Sequence, residues 1–300
     1  MSFFVVDATV WWLFCCISMS NYITHHSGAI RFRSFVPDSV QTMVENMVPA
    51  SLSLLSDVDA AFRRLNSLLR HASPEALAEI TRTEAAASVR LASVGTDAFS
   101  VLLSSAQLDD VANLIAATEW GVSQLDYLPI ATRLISQVHA VALSASSNNC
   151  AYPGELRTTP VWIGLPGCTP STARFVPPLY GDMTAAINSL EQYIHHHSGS
   201  PFVKAAVIHY YFEMIHPFVD GNGRVGRVLN TLYLLDAHAL AAPSLLLSSQ
   251  LLANSAEYYS RLQQVNRTGQ LHLWVEFFLT RLKEAAEATA DELSSASAEA

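Results

Sequence analysis

The sequence predicts an all-α fold that carries one small β-hairpin. Several segments repeat apolar residues at three- and four-residue spacing, which is typical of helices with one buried face. Two Ser-Pro pairs, beginning at Ser73 and Ser200, mark helix starts, because serine caps a helix and proline fits its first position. Half of the 300 residues are hydrophobic. The chain can therefore bury a substantial core, as one large or two small domains.

The first helical region is predicted over residues 37–127. An alanine-rich stretch from Glu75 to about Ser93 has high helix propensity, and shorter helices are predicted at 97–103 and 108–118. The helix before the first Ser-Pro pair is predicted from the apolar positions Leu55, Val58, Phe62, Leu65 and Leu69.

The second region, residues 128–286, is predicted to be helical around one β-prone interruption. Two short β-prone runs, within 158–164 and 173–176, flank a turn rich in proline and glycine, which predicts a hairpin. The last stretch, 287–300, has one leucine among alanine, glutamate and serine, so a frayed or disordered tail is expected. The helices of this region are predicted at 130–144, from Asp182 to Ser198, at 202–215, after Gly223, at 255–265 and at 271–286.

The first 36 residues form a leader whose status the sequence leaves open. Residues 3–19 are strongly apolar, but no Lys or Arg precedes Arg31 and Asp7 interrupts the run. A signal peptide has a basic start, and a membrane span needs about 20 apolar residues. Met19 offers an alternative start of translation. A cytoplasmic protein is expected, with membrane association as the minor alternative.

Charge and cysteine content narrow the functional classes. The net charge is -9 and only 14% of residues are charged, which argues against a general nucleic-acid-binding protein. The four cysteines have no metal-ligand spacing, so reduced thiols are expected. They are Cys15, Cys16, Cys150 and Cys168.

The most informative stretch is 216–227, His-Pro-Phe-Val-Asp-Gly-Asn-Gly-Arg-Val-Gly-Arg. Pro217 ends the preceding helix, and Gly221 and Gly223 leave backbone amides uncovered where the next helix begins. Arg224 and Arg227 then add positive charge to the first turn, which the helix dipole disfavours unless an anion binds there. Amides, dipole and arginines together predict a polyphosphate site.

Other interpretations of the histidines and glycines are weaker. Residues 221–226 match the dinucleotide pattern G-x-G-x-x-G, but a helix precedes them where that site needs a strand. Glu213 and His216 have the spacing of one half of a di-metal site, and the second half is absent. The run His195-His196-His197 is more typical of a solvated helix end than of a metal site.

The stretch 216–227 resembles the signature of the Fic family, and every fixed position of that signature is filled. The resemblance extends over roughly residues 52–283, as a helical N-terminal region joined to a Fic catalytic domain at 128–286. Residues 154–178 look like the flap that covers the active site in this family. The resemblance implies a protein adenylyltransferase that moves AMP from ATP to a hydroxyl side chain.

The resemblance also implies a role for each residue of the site. His216 would be the general base, and Asp220 would hold Mg²⁺. Phe218 is expected to be a buried anchor of the loop. Phosphates would be bound by Gly221, Asn222, Gly223, Arg224 and Arg227, and the Asn222 side chain would also stabilise charge at the α-phosphorus. Tyr258 and Tyr259 would close the nucleoside pocket. Val161, Trp162 and Ile163 would pair with an extended target segment.

One departure from the family concerns the inhibitory helix. Relatives of this architecture carry Ser/Thr-x-x-x-Glu-Gly, whose glutamate pairs with the second arginine of the signature. Here Ser88 occupies the first position and Ala92 replaces the glutamate. Alanine cannot form that ion pair, so Arg227 is expected to be free for the γ-phosphate.

Two functional alternatives stay open. A Fic-like enzyme could use UTP, GTP or a phosphocholine donor, and a nucleotide-binding regulator could have little transfer activity. The expected partners are a nucleotide and a protein substrate with a hydroxyl side chain, without nucleic acid or membrane. A homodimer is compatible with the sequence, which does not determine the oligomeric state.

Overall fold

The computed structural model describes residues 21–27, 30–94, 103–144, 152–164 and 167–299, and in these ranges the all-α prediction is confirmed. The two strands are β1 (Asn21–Ser27) and β2 (Ile30–Val36). The helices are α1 (Val40–Glu45), α2 (Leu52–Leu69), α3 (Pro74–Ala92), α4 (Ser105–Gln124), α5 (Thr132–Ala142), α6 (Tyr180–His196), α7 (Pro201–Ile215), α8 (Asn222–Asp236), α9 (Leu247–Ala253), α10 (Ser255–Thr268) and α11 (Leu271–Glu299).

Both Ser-Pro helix starts are confirmed. The Ser73 hydroxyl accepts a hydrogen bond from the amide of Ala76 at 3.2 Å, and α3 begins with Pro74. Helix α7 begins with Pro201 after Ser200, whose side chain makes no capping bond. Proline suits this position in both helices because the first helical amide needs no partner within the helix.

Helix α7 forms the centre of the fold. Nearly all of its residues are buried, so it has no polar face, as expected for a helix surrounded by other elements. It packs against α6, α8 and α11. From α11, the indole of Trp274 donates to the Ala206 carbonyl at 2.7 Å. The C-terminal end of α7 is therefore a rigid support for residues 216–227, the signature loop.

The predicted disordered tail is wrong within the described residues. Helix α11 continues to Glu299, and Ala290 and Leu293 are buried. The Thr289 hydroxyl accepts a hydrogen bond from the Leu246 amide at 3.1 Å. Residues 286, 290 and 293 follow helical spacing, and small alanines let α11 pack closely against α2. The composition that suggested disorder is here the composition of a packed helix.

The β-structure lies partly where it was not predicted. Between 158 and 176, the described residues form a single bridge, Ile163 to Phe175, in place of a regular hairpin. The regular antiparallel pair is β1–β2, inside the stretch assigned to the leader. The Phe35 amide donates to the Val176 carbonyl at 2.9 Å and so joins the two structures.

Several predictions fall outside the described residues. These are the apolar run at 3–19 and most of the helix predicted at 97–103. Cys15, Cys16 and Cys150 also lie there, whereas Cys168 is a free thiol. Within the described part of the chain, every helix is too short or too polar to span a bilayer.

Candidate active site at the start of helix α8

The signature loop has the backbone conformation of a tight anion-binding turn. Helix α7 ends before His216, which adopts a left-handed conformation with φ 50°. Pro217 disfavours the right-handed helical conformation at His216, so the helix does not continue. Gly221 has φ 76° and caps α8. A side chain at this position would approach Leu143 Cδ1 to 2.9 Å, so both backbone angle and space require glycine.

The first amides of α8 are unpaired. Those of Asn222, Gly223 and Arg224 have no hydrogen-bond partner among the described residues, and Gly223 is partly exposed. Unpaired amides and the helix dipole together favour an anion at this point. The unpaired amides agree with the sequence analysis, and the binding of an anion here stays a prediction.

The side chain of Asn222 closes the loop. Its Oδ1 accepts from the Phe218 amide, and its Nδ2 donates to the Phe218 carbonyl, both at 2.9 Å. The residue is 2% exposed. The predicted contact of this side chain with the α-phosphate is therefore contradicted, since both heteroatoms bind the loop itself. The buried position of Phe218 is as predicted.

His216 is held in one orientation with a defined tautomer. Its Nδ1 lies 3.3 Å from the Glu213 carbonyl, which can only accept, so the proton is on Nδ1 and Nε2 is the free base. Burial lowers the pKa of His216 to about 4, and the nearby Arg157 acts in the same direction. The imidazole is therefore neutral at physiological pH.

Arg157 fixes the backbone on both sides of His216. Its guanidinium donates to the carbonyls of His216 at 2.7 Å and Ile215 at 3.2 Å, and also to Pro178 at 2.6 Å. Its own amide donates to the Pro217 carbonyl at 2.9 Å. The sequence associated this residue only with the flap. In the structure, Arg157 also joins the base of the flap to the signature loop.

His139 on α5 makes a similar connection. Its Nδ1 accepts from the Gly154 amide at 2.7 Å, so its Nε2 carries the proton and donates to the Asp220 carbonyl at 3.0 Å. The ring stacks on Phe218 with centroids 3.8 Å apart. Burial lowers the pKa of His139, which keeps this tautomer neutral. Sequence reasoning missed this residue, although a histidine on an apolar helix face is a signal worth testing.

Asp220 can act as a metal ligand together with substrate phosphates. Its side chain is about half exposed, with Oδ1 accepting from the Gly221 amide at 2.7 Å and Oδ2 3.5 Å from Arg224. The described residues contain no group of three or more His, Cys, Asp or Glu side chains that could hold a metal ion on its own. A single accessible carboxylate fits Mg²⁺, which protein sites bind through one or two carboxylates plus phosphate oxygens and water.

The first signature arginine is paired inside the protein. Arg224 lies 3.1 Å from Asp110 on α4, and both side chains are buried. The hydrogen-bond geometry of this contact is poor, but at 3.1 Å it remains a close ion pair. Asp110 was not identified from the sequence. Its signal was an acidic residue on the buried face of a helix, where an unpaired charge is rare.

The second signature arginine is not free, so that prediction is wrong. Arg227 donates through Nε to the Ser88 hydroxyl at 2.7 Å and through a terminal nitrogen to the Ser88 carbonyl at 2.8 Å. Arg227 is 4% exposed, and only a cavity of about 30 Å³ lies beside it. That volume suits one water molecule. Ala92 is exposed and makes no contact that replaces the missing glutamate.

Two carboxyl groups lie near this arginine, of which Glu213 is buried and Glu84 is partly buried. Burial raises the pKa of Glu84 and of Glu213 to about 7 each, and the charge of Arg227 opposes the rise. Glu84 accepts from the Ser248 amide at 2.7 Å, at the start of α9. Glu213 has an Oε1 without any hydrogen-bond partner, and a Cβ added at Gly226 would lie 2.8 Å from it.

The two tyrosines predicted for the nucleoside pocket differ in position. Tyr258 is 1% exposed, and its hydroxyl bonds to His209 at 3.0 Å, so a direct nucleotide contact is contradicted. Tyr259 is 37% exposed and donates to the Leu91 carbonyl at 2.9 Å. Only the second side chain is placed where a ligand could reach it.

The flap exposes two of the three residues that were predicted to bind a target segment. Trp162 and Ile163 are 42% and 40% exposed, and Val161 is partly buried. The Trp162 indole donates to the Cys168 carbonyl at 2.9 Å, which steadies the flap. The edge that could pair with an extended peptide therefore remains accessible.

Comparison with known families identifies a similarity over one segment of the chain. The Fic/DOC family model matches residues 129–234. The protein adenylyltransferase Fic of Drosophila virilis is 27% identical over 281 residues, covering 87% of this chain and 51% of that protein. The protein adenylyltransferase fic-1 of Caenorhabditis briggsae is 32% identical over 124 residues, covering 41% of this chain and 22% of that protein. The chain spans about half the length of its Drosophila virilis relative.

Solved structures agree on the fold. A Fic family protein from Desulfovibrio desulfuricans superposes with a TM-score of 0.68 at 21% identity, covering 82% of this chain and 75% of that one. Fic-1 from C. elegans superposes with a TM-score of 0.58 at 20% identity, covering 82% and 72%. At these identities the similarity establishes the fold alone.

Proposed function

We propose that this chain, in which residues 129–234 form a Fic/DOC family domain, is a protein adenylyltransferase. It would transfer AMP from ATP to a Ser, Thr or Tyr hydroxyl of a target protein and release pyrophosphate. The observation that carries the proposal is the pairing of a neutral histidine, His216, with the unpaired amides at the start of α8.

The base function of His216 follows from its tautomer. Nδ1–H is directed to the Glu213 carbonyl, so Nε2 has the lone pair that accepts a proton from a target hydroxyl. The hydroxyl oxygen then forms a bond to the α-phosphorus while the bond to the β-phosphate oxygen breaks. Arg157 limits the motion of the His216 backbone, which favours a constant approach geometry.

The start of α8 would hold the phosphates. The amides of Asn222, Gly223 and Arg224 can donate to oxygens that gain charge during the transfer. Asn222 contributes by bracing the loop through Phe218, which keeps those amides aligned. Asp220 would hold Mg²⁺, which when bound neutralises phosphate charge as a Lewis acid.

The two arginines would contribute differently. Arg224 is oriented by Asp110 and so reaches the phosphates from a fixed position. Arg227 would have to exchange its contacts with Ser88 for the terminal phosphate. A phosphate offers charged, bidentate acceptors in place of one hydroxyl and one carbonyl, so the exchange favours the nucleotide. The protein would therefore have a weak restraint where its relatives carry a glutamate.

The flap would align the target. An extended segment pairing with 161–163 would place its hydroxyl above the signature loop, because Arg157 connects flap and loop. The partly exposed Tyr259 is the better candidate for a nucleoside contact than the buried Tyr258.

Mass spectrometry of the intact protein tests the proposal. Incubation with ATP and Mg²⁺ is expected to add one AMP to the protein itself or to a partner in a lysate. His216→Ala should abolish the gain while calorimetry still detects ATP binding. His196→Ala, which changes an exposed histidine at the end of α6, is the matched control.

Donor profiling separates the adenylyltransferase from the related alternatives. GTP, UTP and CDP-choline should label the protein more slowly than ATP. A faster reaction with one of these compounds would show that this compound, and not ATP, is the donor. No labelling from any donor, with nucleotide binding intact, would indicate a regulator and reject the enzyme.

A further inference from the structure

A groove of about 440 Å³ lies outside the nucleotide site, between the β1–β2 hairpin and flap residues 173–176. Two elements frame it. The Phe35 amide bonds to the Val176 carbonyl at 2.9 Å, and the rings of Phe35 and Phe175 are 5.7 Å apart. The groove is therefore part of the same surface as the flap, whose Phe175 bridges to Ile163.

Three arginine side chains line this groove. Strand alternation places Arg31 and Arg33 on one face of β2, together with Phe35. Arg174 comes from the facing flap segment, and all three arginines are exposed. The lining thus combines a basic rim with an aromatic and aliphatic floor, to which Tyr22 contributes.

These arginines have no acidic partner among the described residues. Arg33 lies over the Tyr22 ring at 4.9 Å, which is a cation–π contact. Burial raises the pKa of Tyr22, and the positive charges of Arg33 and Arg267 act in the opposite direction. Three arginines therefore line this groove.

The absence of partners here contrasts with three of the exposed arginines elsewhere in the described chain, while Arg70, also exposed, likewise forms no ion pair. Arg63, Arg64 and Arg82 on α2 and α3 each form an ion pair with an acidic side chain. The whole protein has a net charge of -9, so a group of unpaired arginines runs against its average composition. Such a local cluster of positive charge attracts a negatively charged ligand.

We propose that this groove binds an acidic segment of the polypeptide whose hydroxyl is modified, which rests on the proposed transferase function. Charge complementarity supplies the attraction, and the adjoining flap edge offers backbone pairing to the same extended chain. A nucleic acid is the weaker candidate, because its affinity requires a broad basic surface and the remainder of this protein repels it.

Binding is tested with a probe that does not depend on activity. A fluorescein-labelled peptide of one threonine flanked by glutamates should bind the full chain, as followed by anisotropy. The peptide with glutamine in place of glutamate should bind at least tenfold more weakly. Because the contacts are exposed, affinity for the glutamate peptide should fall steeply between low and physiological salt.

Charge reversal identifies the surface. The triple variant Arg31→Glu, Arg33→Glu and Arg174→Glu should weaken glutamate-peptide binding by roughly tenfold or more, since each exposed pair accounts for about two- to fivefold. The matched control reverses Arg63, Arg64 and Arg82 to glutamate, with the same change of net charge. The double variant Arg31→Glu and Arg174→Glu retains the contact of Arg33 with Tyr22. It therefore separates weaker binding from loss of the hairpin.

Activity then separates this inference from the proposed function. The double variant Arg31→Glu and Arg33→Glu, which leaves the flap unchanged, should raise KM for transfer of AMP to the glutamate peptide and leave kcat, and pyrophosphate release without peptide, within about twofold. Equal effects of the groove and control variants would contradict the proposal that the peptide binds in this groove. If a poly(U) oligonucleotide binds more tightly than the glutamate peptide, and its binding also depends on these arginines, the proposal that the groove binds an acidic polypeptide is wrong. Absence of any AMP transfer by the wild-type protein would reject the function, whereas the binding results would still decide the groove.

Discussion

Arg227 donates two hydrogen bonds to Ser88, one to its hydroxyl at 2.7 Å and one to its backbone carbonyl at 2.8 Å. The two residues lie 139 positions apart and connect α8 to α3. The contact occupies the arginine that the proposed mechanism assigns to the terminal phosphate. It lacks the full negative charge of a carboxylate, so it restrains the arginine less than an ion pair would.

Removal of the Ser88 hydroxyl should increase activity. In Ser88→Ala, Arg227 keeps the carbonyl contact and loses the hydroxyl contact, so less free energy is needed to turn it toward the nucleotide. The expected result is a self-modification rate about three- to tenfold higher at subsaturating ATP, with a lower KM for ATP. The control is Ser67→Ala, which removes a hydroxyl bond on the exposed side of α2. An unchanged or lower rate would show that Ser88 does not restrain Arg227.

Insertion of the missing carboxylate should have the opposite effect. Ala92 lies one helical turn beyond Ser88, on the same side of α3. In Ala92→Glu, a carboxylate can approach Arg227 and compete with the phosphate, so self-modification should fall by about tenfold or more. Ala92→Gln has nearly the same shape without the charge and should retain most of the activity. Equal rates in the wild-type protein and the glutamate variant would reject the assigned correspondence of Ala92.

The pH dependence of transfer should reflect the environment of His216. Burial and Arg157 lower its pKa to about 4, so the neutral base persists as the pH falls until about that value. The acidic limb of kcat/KM for ATP is therefore expected near pH 4–5 and not near 6.5. Initial rates should be measured between pH 3.5 and 8, with circular dichroism confirming the fold at each pH. An acidic midpoint between 6 and 7 would contradict this assignment.

Local features of this fold were predictable from the sequence, and contacts between distant residues were not. The Ser-Pro starts and the turn at Gly221 are set by neighbouring residues, so they follow from propensity and backbone sterics. The contacts of Arg227 with Ser88 and of Arg224 with Asp110 depend on how helices pack. No spacing within one segment encodes them.

Burial explains the other errors of prediction. Tyr258 was assigned to the nucleoside pocket from a resemblance of local sequence, but packing places its hydroxyl against His209. Asn222 has side-chain groups suited to a phosphate, yet its own loop uses them. The alanine-rich end of α11 is polar on one side and buried on the other, which composition alone does not distinguish from disorder.

Arg157 should be irreplaceable by lysine. Its guanidinium reaches the carbonyls of His216, Ile215 and Pro178 from one planar group, a pattern that an ammonium cannot reproduce. Arg157→Lys is expected to lower kcat by at least tenfold, because the base loses its fixed position, with ATP affinity within about threefold. The control is Arg63→Lys on the exposed face of α2, and calorimetry supplies the ATP affinity. A normal kcat with unchanged stability would show that His216 is positioned without this residue.

The buried carboxyl of Glu213 should make stability depend on pH. Burial raises its pKa to about 7 in the folded state, against an ordinary value of 4.5. The folded protein therefore retains a proton that the unfolded chain releases, so this group's stabilising contribution is lost as the pH rises from 4.5 through about 7. For a shift of this size the loss is roughly 3 kcal/mol in the free energy of unfolding.

Glu213→Gln removes that titration while preserving the shape of the side chain. The variant should gain stability relative to the wild-type protein as the pH rises from 5 to 8, as measured by urea unfolding at each pH. Glu84, whose pKa burial also raises to about 7, still titrates in the variant, so the pH dependence should decrease without disappearing. Glu276→Gln, which changes an exposed carboxyl on α11, is the control. A glutamine variant with the same pH dependence as the wild-type protein would mean that Glu213 is already ionised in the fold, with its charge neutralised by Arg227.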